Sequence, residues 1–206
     1  MVLLEASSFW SQFDLDIGHY IRMECQRAEM HSDRARGTPQ SLTINQRTDR
    51  YFDNTELEMI LELIGSRLGD LTQLALFNIT NAQLVKRIVR HCLQFGKPGI
   101  LRILTIHMEG DNQRTESISK ESAELSEQTQ SILGPIHSLS LRGVKFAWDS
   151  PVYHNLVRLQ LGKIPYESSP HIHDILDILS ACPLLRMLKI SDMSILPCDS
   201  VPLEPV

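Results

Sequence analysis

The sequence predicts an α/β solenoid, with short parallel strands on a concave face, helices on a convex face and about seven irregular rungs. Three observations predict it: a short apolar pattern that recurs, the interval at which it recurs, and the helix-like segments between its copies. The pattern is apolar-x-x-apolar-x-apolar. It occurs as Trp10-x-x-Phe13-x-Leu15, Leu71-x-x-Leu74-x-Leu76, Leu101-x-x-Leu104-x-Ile106, Ile136-x-x-Leu139-x-Leu141, Leu156-x-x-Leu159-x-Leu161 and Leu185-x-x-Leu188-x-Ile190, with Leu42-x-Ile44 as a weaker copy.

The central residues 13, 42, 74, 104, 139, 159 and 188 are separated by 29, 32, 30, 35, 20 and 29 positions. Most of these intervals sit near the long end of the leucine-rich-repeat period. A single such run means little in a leucine-rich chain, whereas seven near register specify an architecture. Each unit buries its apolar side only when neighbours cover it, so residues 1–206 read as one leucine-rich-repeat region without an internal domain boundary.

The intervening segments supply the helices. Asp53 and Asn54 can cap a helix over Thr55–Leu68, with Leu57, Ile60, Leu61, Ile64 and Leu68 on one face. Asn81 can cap Ala82–Phe95, whose stripe is Leu84, Val85, Ile88 and Cys92 and whose stop is Gly96. Pro170 opens a third helix with an apolar stripe of Ile172, Ile175, Leu176 and Leu179, ended by Pro183. A less regular helix is expected within Ile17–Glu29. The 35-residue interval holds a polar insertion at 111–130, read as solvated with a weak helix. The 20-residue interval is too short for a strand and a helix. An extended return through Arg142–Asn155 is expected there, with Val144, Phe146 and Trp148 alternating toward one side.

Bulk composition narrows the function classes. Twenty basic and 25 acidic residues give a formal charge of −5, and only 6% of residues are aromatic. This gives no reason to expect nucleic acid or an anionic membrane as the partner. Apolar runs are short, the first residues lack a cationic signal region, and Cys25, Cys92, Cys182 and Cys198 form no CxxC pair. Together these predict a cytoplasmic or nuclear protein with reduced thiols. The Asn78-Ile-Thr80 sequon is expected to stay unmodified there.

Nothing in the pattern calls for catalysis, a cofactor or a metal. His171, His173, Asp174 and Cys182 could be drawn as a metal cluster, but helical positions i and i+2 face different ways, so polar residues of a first helical turn are the simpler reading. Cys182 lacks a base at any catalytic spacing and reads as a buried structural thiol. The ten glycines are dispersed, with no phosphate-cradling loop. Trp148 is expected to pack over the short return and Trp10 to sit in the core.

Binding is expected on the strand residues that alternate away from the core. The candidates are Asp14, Thr43, Gln73, Ala75, Phe77, Thr105, His107, Ser140, Arg142, Arg158, Gln160, Met187 and Lys189. Their row runs from acidic to basic along the chain, a gradient suited to orienting a polar partner.

Several segments resemble a known group. Ile136-His-Ser-Leu-Ser-Leu-Arg-Gly-Val144, Trp148-Asp-Ser-Pro-Val-Tyr153 and Asn155-Leu-Val-Arg-Leu-Gln-Leu161 look like repeats of fungal, basidiomycete-type F-box-like proteins. Ile175 through Ile190, containing Ala181-Cys182-Pro183 and Leu185-x-x-Leu188-x-Ile190, is the most specific match. Phe9-Trp10-Ser11 and Arg34 through Ile44 resemble the region just after the F-box. The resemblance implies the substrate-recognition part of a cullin–RING ubiquitin ligase, whose F-box docks on the ligase adaptor. No F-box module is found before Phe9, so no residue here inherits adaptor binding, and an adaptor is an expected partner only of a longer product. The Pro-containing tail 192–206 resembles a linker to a further repeat. The alternative expectation is a free-standing leucine-rich binding protein, or a truncated gene product, without a ligase role.

Overall fold

The computed structural model describes residues 11–18, 20–35, 37–46, 53–109, 116–118 and 126–197. Trp10, most of 111–125 and the tail from Cys198 lie outside the described residues.

Alternation of apolar and polar residues fixes the strands. Seven form one parallel sheet: β1 (Gln12–Ile17), β2 (Gln40–Gln46), β3 (Leu71–Ile79), β4 (Ile103–Met108), β6 (Ser138–Arg142), β8 (Arg158–Gly162) and β9 (Met187–Ser191). Their order across the sheet follows their order in the chain. The short β5 (Glu116–Ile118) and β7 (Val144–Phe146) pair separately, also in parallel.

The register is the one the apolar pattern demands. Phe13, Leu42, Leu74, Leu104, Leu139, Leu159 and Leu188 are successive partners across the sheet, and Leu15, Ile44, Leu76, Ile106, Leu141, Leu161 and Ile190 form the parallel row. Slipping one strand by one residue would turn its apolar pair to solvent, so this register has no competitor.

Helices cover the apolar side: α1 (Ile21–Ala35), α2 (Asn54–Gly65), α3 (Ala82–Phe95), α4 (Ser126–Leu133) and α5 (Ile172–Ser180). From α1 to α4, each helix packs beside the next. Asp53 caps α2 through a reciprocal pair, its carboxylate accepting from the Glu56 N–H at 2.8 Å while Glu56 accepts from the Asp53 N–H at 3.3 Å. Asn81 caps α3, accepting from Gln83 and Leu84, and Gly96 ends it. Strand and helix apolar residues merge into one core from Phe13 to Cys182.

Three expectations shift. The first helix lies at Ile21–Ala35, because Ile17 is the last buried residue of β1. The return after β6 is extended over Val144–Phe146 with Val144 and Phe146 buried, as the alternation predicts, but it then closes in a 3-10 turn at Pro151–Tyr153, with Trp148 stacked on Tyr153 at 5.6 Å between ring centroids. The stripe expected on the third helix divides. Of its four residues only Ile175 is buried in α5, joined by Ile178 from outside the expected stripe, whereas Ile172, Leu176 and Leu179 are exposed. At 100° per residue these five side chains span an arc of about 160°, wider than one packed neighbour covers. The uncovered half belongs to the last helix of the sheet's β9 end.

The two ends of the sheet therefore differ. Phe13 through Leu159 are between 0 and 4% exposed along the central row, but Leu188 is 41% exposed. At the β1 end, Ile21, Cys25 and Ala28 of α1 are buried with Phe13, Leu15 and Ile17.

Local geometry repeats as well. The carbonyl just before β4, β6 and β8 (Arg102, His137 and Val157) accepts two N–H groups from the following strand's first residue and the one before it. Asn78, Gly143, Lys163 and Asp192 each stand two residues past the second core residue of their strand, with φ of 56°, 70°, 50° and 53°. At Gly143 a side chain would also press on Met108 at 3.2 Å.

Candidate binding face

Every core-facing strand residue has neighbours that point the other way, so the opposite face of the sheet follows without further assumption. Its middle row is Asp14, Thr43, Ala75, Thr105, Ser140, Gln160 and Lys189, one residue from each strand in register. Gln73, Arg158 and Met187 belong to the row on one side, and Phe77, His107 and Arg142 to the row on the other. All thirteen candidate residues thus share one surface. Ala75 is only 2% exposed and forms floor between Thr43 and Thr105; it offers a partner almost no contact area.

The face is ordered by its own polar contacts. Asn78, turned into the left-handed region, donates to Asn45 Oδ1 at 2.8 Å, and Asn45 donates to Asp16 at 3.4 Å. This chain links three strands at the acidic end. In the middle, His107 Nε2 lies 2.8 Å from Ser140 Oγ, and the Phe77 ring meets the imidazole edge-on at 5.1 Å. At the basic end Arg142 reaches Asp192 at 3.6 Å, both side chains well exposed, so the pair adds little stability.

Burial, followed by the Arg142 cation, lowers the pKa of His107 below the ordinary 6.5. The unfolded chain then binds a proton more readily than the folded one. The stability this group contributes is present above about pH 6.5 and is lost as pH falls below it. His107→Gln should flatten the fall in urea midpoint between neutral and mildly acidic pH; the same slope in both proteins would exclude His107 as a contributor.

Groups outside the face occupy structural positions. Cys182 is buried, donates from Sγ to the Tyr153 carbonyl at 2.8 Å and accepts from the Leu156 N–H at 3.3 Å. Burial raises its pKa, the opposite of an activated thiol. His171 and His173 stack at 5.3 Å; His171 Nδ1 lies 3.2 Å from the Pro197 carbonyl, and Asp174 accepts from the His171 backbone at 2.8 Å. Among the described residues, no three His, Cys, Asp or Glu side chains are grouped to hold a metal ion, and no helix is long and apolar enough to cross a membrane.

The apolar pattern reveals neither Arg67, whose side chain is buried, nor the Asn78–Asn45–Asp16 chain. An asparagine just past an apolar run is a detectable sign of the left-handed turn that creates this chain. The sequence matches no protein-family model and no curated protein.

Proposed function

We propose that this chain is a leucine-rich-repeat solenoid whose polar sheet face binds another protein and has no catalytic role. The observation that carries the reading is the seven-strand polar row, held in register by the apolar ladder behind it. Strands in chain order, a repeated pair of hydrogen bonds and a left-handed residue at a fixed offset are what stacked copies of one unit produce. A rigid strand surface holds its side chains more precisely than a loop does, and this favours recognition.

The resemblance to F-box-like proteins extends the proposal to substrate capture for a cullin–RING ubiquitin ligase, inside the cell. Fold alone does not fix that role. A tagged chain expressed in cells should capture a partner, and Thr105→Arg with Ser140→Arg in the middle of the face should reduce recovery at least tenfold without changing the melting temperature. Equal recovery by the folded variant would overturn the binding face. Adaptor recovered with the chain would favour the ligase reading, and a partner recovered without it a free-standing module.

A further inference from the structure

The three strands at the β9 end carry positive charge that the rest of the face does not answer. Their nine facing positions, from Ser138 to Ser191, include Arg142, Arg158 and Lys189 and no carboxylate. All three cations are exposed. Arg158 and Lys189 have no ion-pair or hydrogen-bond partner among the described residues, and Arg142 has only the long contact to Asp192. The acids of the same face, Asp14 and Asp16, sit on β1, four strand spacings from β6. That is about 20 Å, beyond the screening length at physiological salt, so they do not neutralise the basic end.

The three cations surround Gln160. Strand spacing and rise place Arg158 and Lys189 about 8 Å apart and Arg158 and Arg142 about 14 Å apart, Cα to Cα. Between Arg142 and Ser191 the row drops to bare backbone at Gly162, where a side chain would meet Ser191 Oγ at 2.8 Å. An extended peptide places side chains on one side at about 7 Å and about 14 Å, the spacings of positions i, i+2 and i+4.

We propose, resting on the binding reading above, that this end of the face takes an acidic segment of a protein partner. The segment lies extended with carboxylates at alternate positions. Arg158 and Arg142 hold the outer two, Lys189 the middle one, and Gln160 lies beneath. Opposed charge of this kind sets orientation and speeds encounter.

The test uses the full chain and a dye-labelled peptide with glutamate at every second position, followed by fluorescence anisotropy at about 50 mM salt. The expected result is binding about tenfold tighter than to the same peptide with glutamine, lost on Arg158→Glu with Lys189→Glu. Arg22→Glu, an exposed charge reversal on α1 away from the face, should leave it unchanged. Lys189→Gln, a single exposed change, should weaken it measurably while the melting temperature holds. Equal binding of the glutamine peptide, or undiminished binding by the double variant, would overturn the proposal. So would single-stranded DNA competing as well as the glutamate peptide, which would mark a general polyanion surface. If cellular capture still depends on Thr105 and Ser140 while the glutamate peptide does not bind, the binding face stands and its assigned chemistry fails.

Discussion

Leu159→Ala should lower the unfolding free energy by about 2–5 kcal/mol, and Leu188→Ala by less than about 1.5 kcal/mol, although both occupy the same place in the repeated run. They are direct register partners on β8 and β9. Leu159 is 1% exposed, with strands on both sides and the core above, so truncation removes apolar contacts and leaves a cavity. Leu188 is 41% exposed on the edge strand, so much of its side chain already meets water and little cavity can form. Urea unfolding at matched slope gives both numbers. Equal losses would mean that β9 is covered in solution, and a molecular-mass measurement on the same samples would show whether a second copy covers it.

The same comparison shows what the sequence could specify. Seven central residues fall in one ladder because strand alternation has period two and permits one buried answer. The bounds of α3 follow from Asn81 and Gly96, each with a physical reason to sit at its end. In α5 the apolar spacing marks Ile172, Ile175, Leu176 and Leu179 but not that only Ile175 among them is covered. That depends on the neighbours, and the described residues leave Ile172, Leu176 and Leu179 exposed. The strand Glu116–Ile118 is three residues in a polar stretch and exists through pairing with Val144–Phe146, a contact local pattern does not encode. For the candidate binding face, alternation placed its residues on one surface. It did not show that Ala75 is floor, or that Gly162 opens a gap between Arg142 and Ser191.

Arg67 is the residue least legible in the sequence. In the last turn of the helix expected over Thr55–Leu68, a positive charge is ordinarily solvated and favourable. Instead Arg67 is 2% exposed, its guanidinium 4.3 Å from the centroid of the Phe13 ring and its Nη2 donating to the Ala28 carbonyl. Nε and Nη1 have no hydrogen-bond partner among the described residues. Burial pulls its pKa down to about 10, against the opposing pull of Glu29 and, less strongly, Cys25 and Asp33. The charge is thus a cost that the stem's packing offsets. Arg67→Ala should lose about 3 kcal/mol, because the stem that fills the space beside Phe13 disappears. Arg67→Met, similar in volume and without charge, should match or exceed wild-type stability at neutral pH. The linkage gives a second readout. The folded pKa lies below the ordinary arginine value, so above about pH 10 the unfolded chain holds the extra proton, and Arg67 makes stability rise with pH there. Burial also raises the Cys25 pKa to about 11, which acts the other way, so the quantity to read is wild type minus Arg67→Met. A Met variant as unstable as the Ala variant at neutral pH would show that the guanidinium itself, through Ala28 and Phe13, ties α1 and β1 to the end of α2.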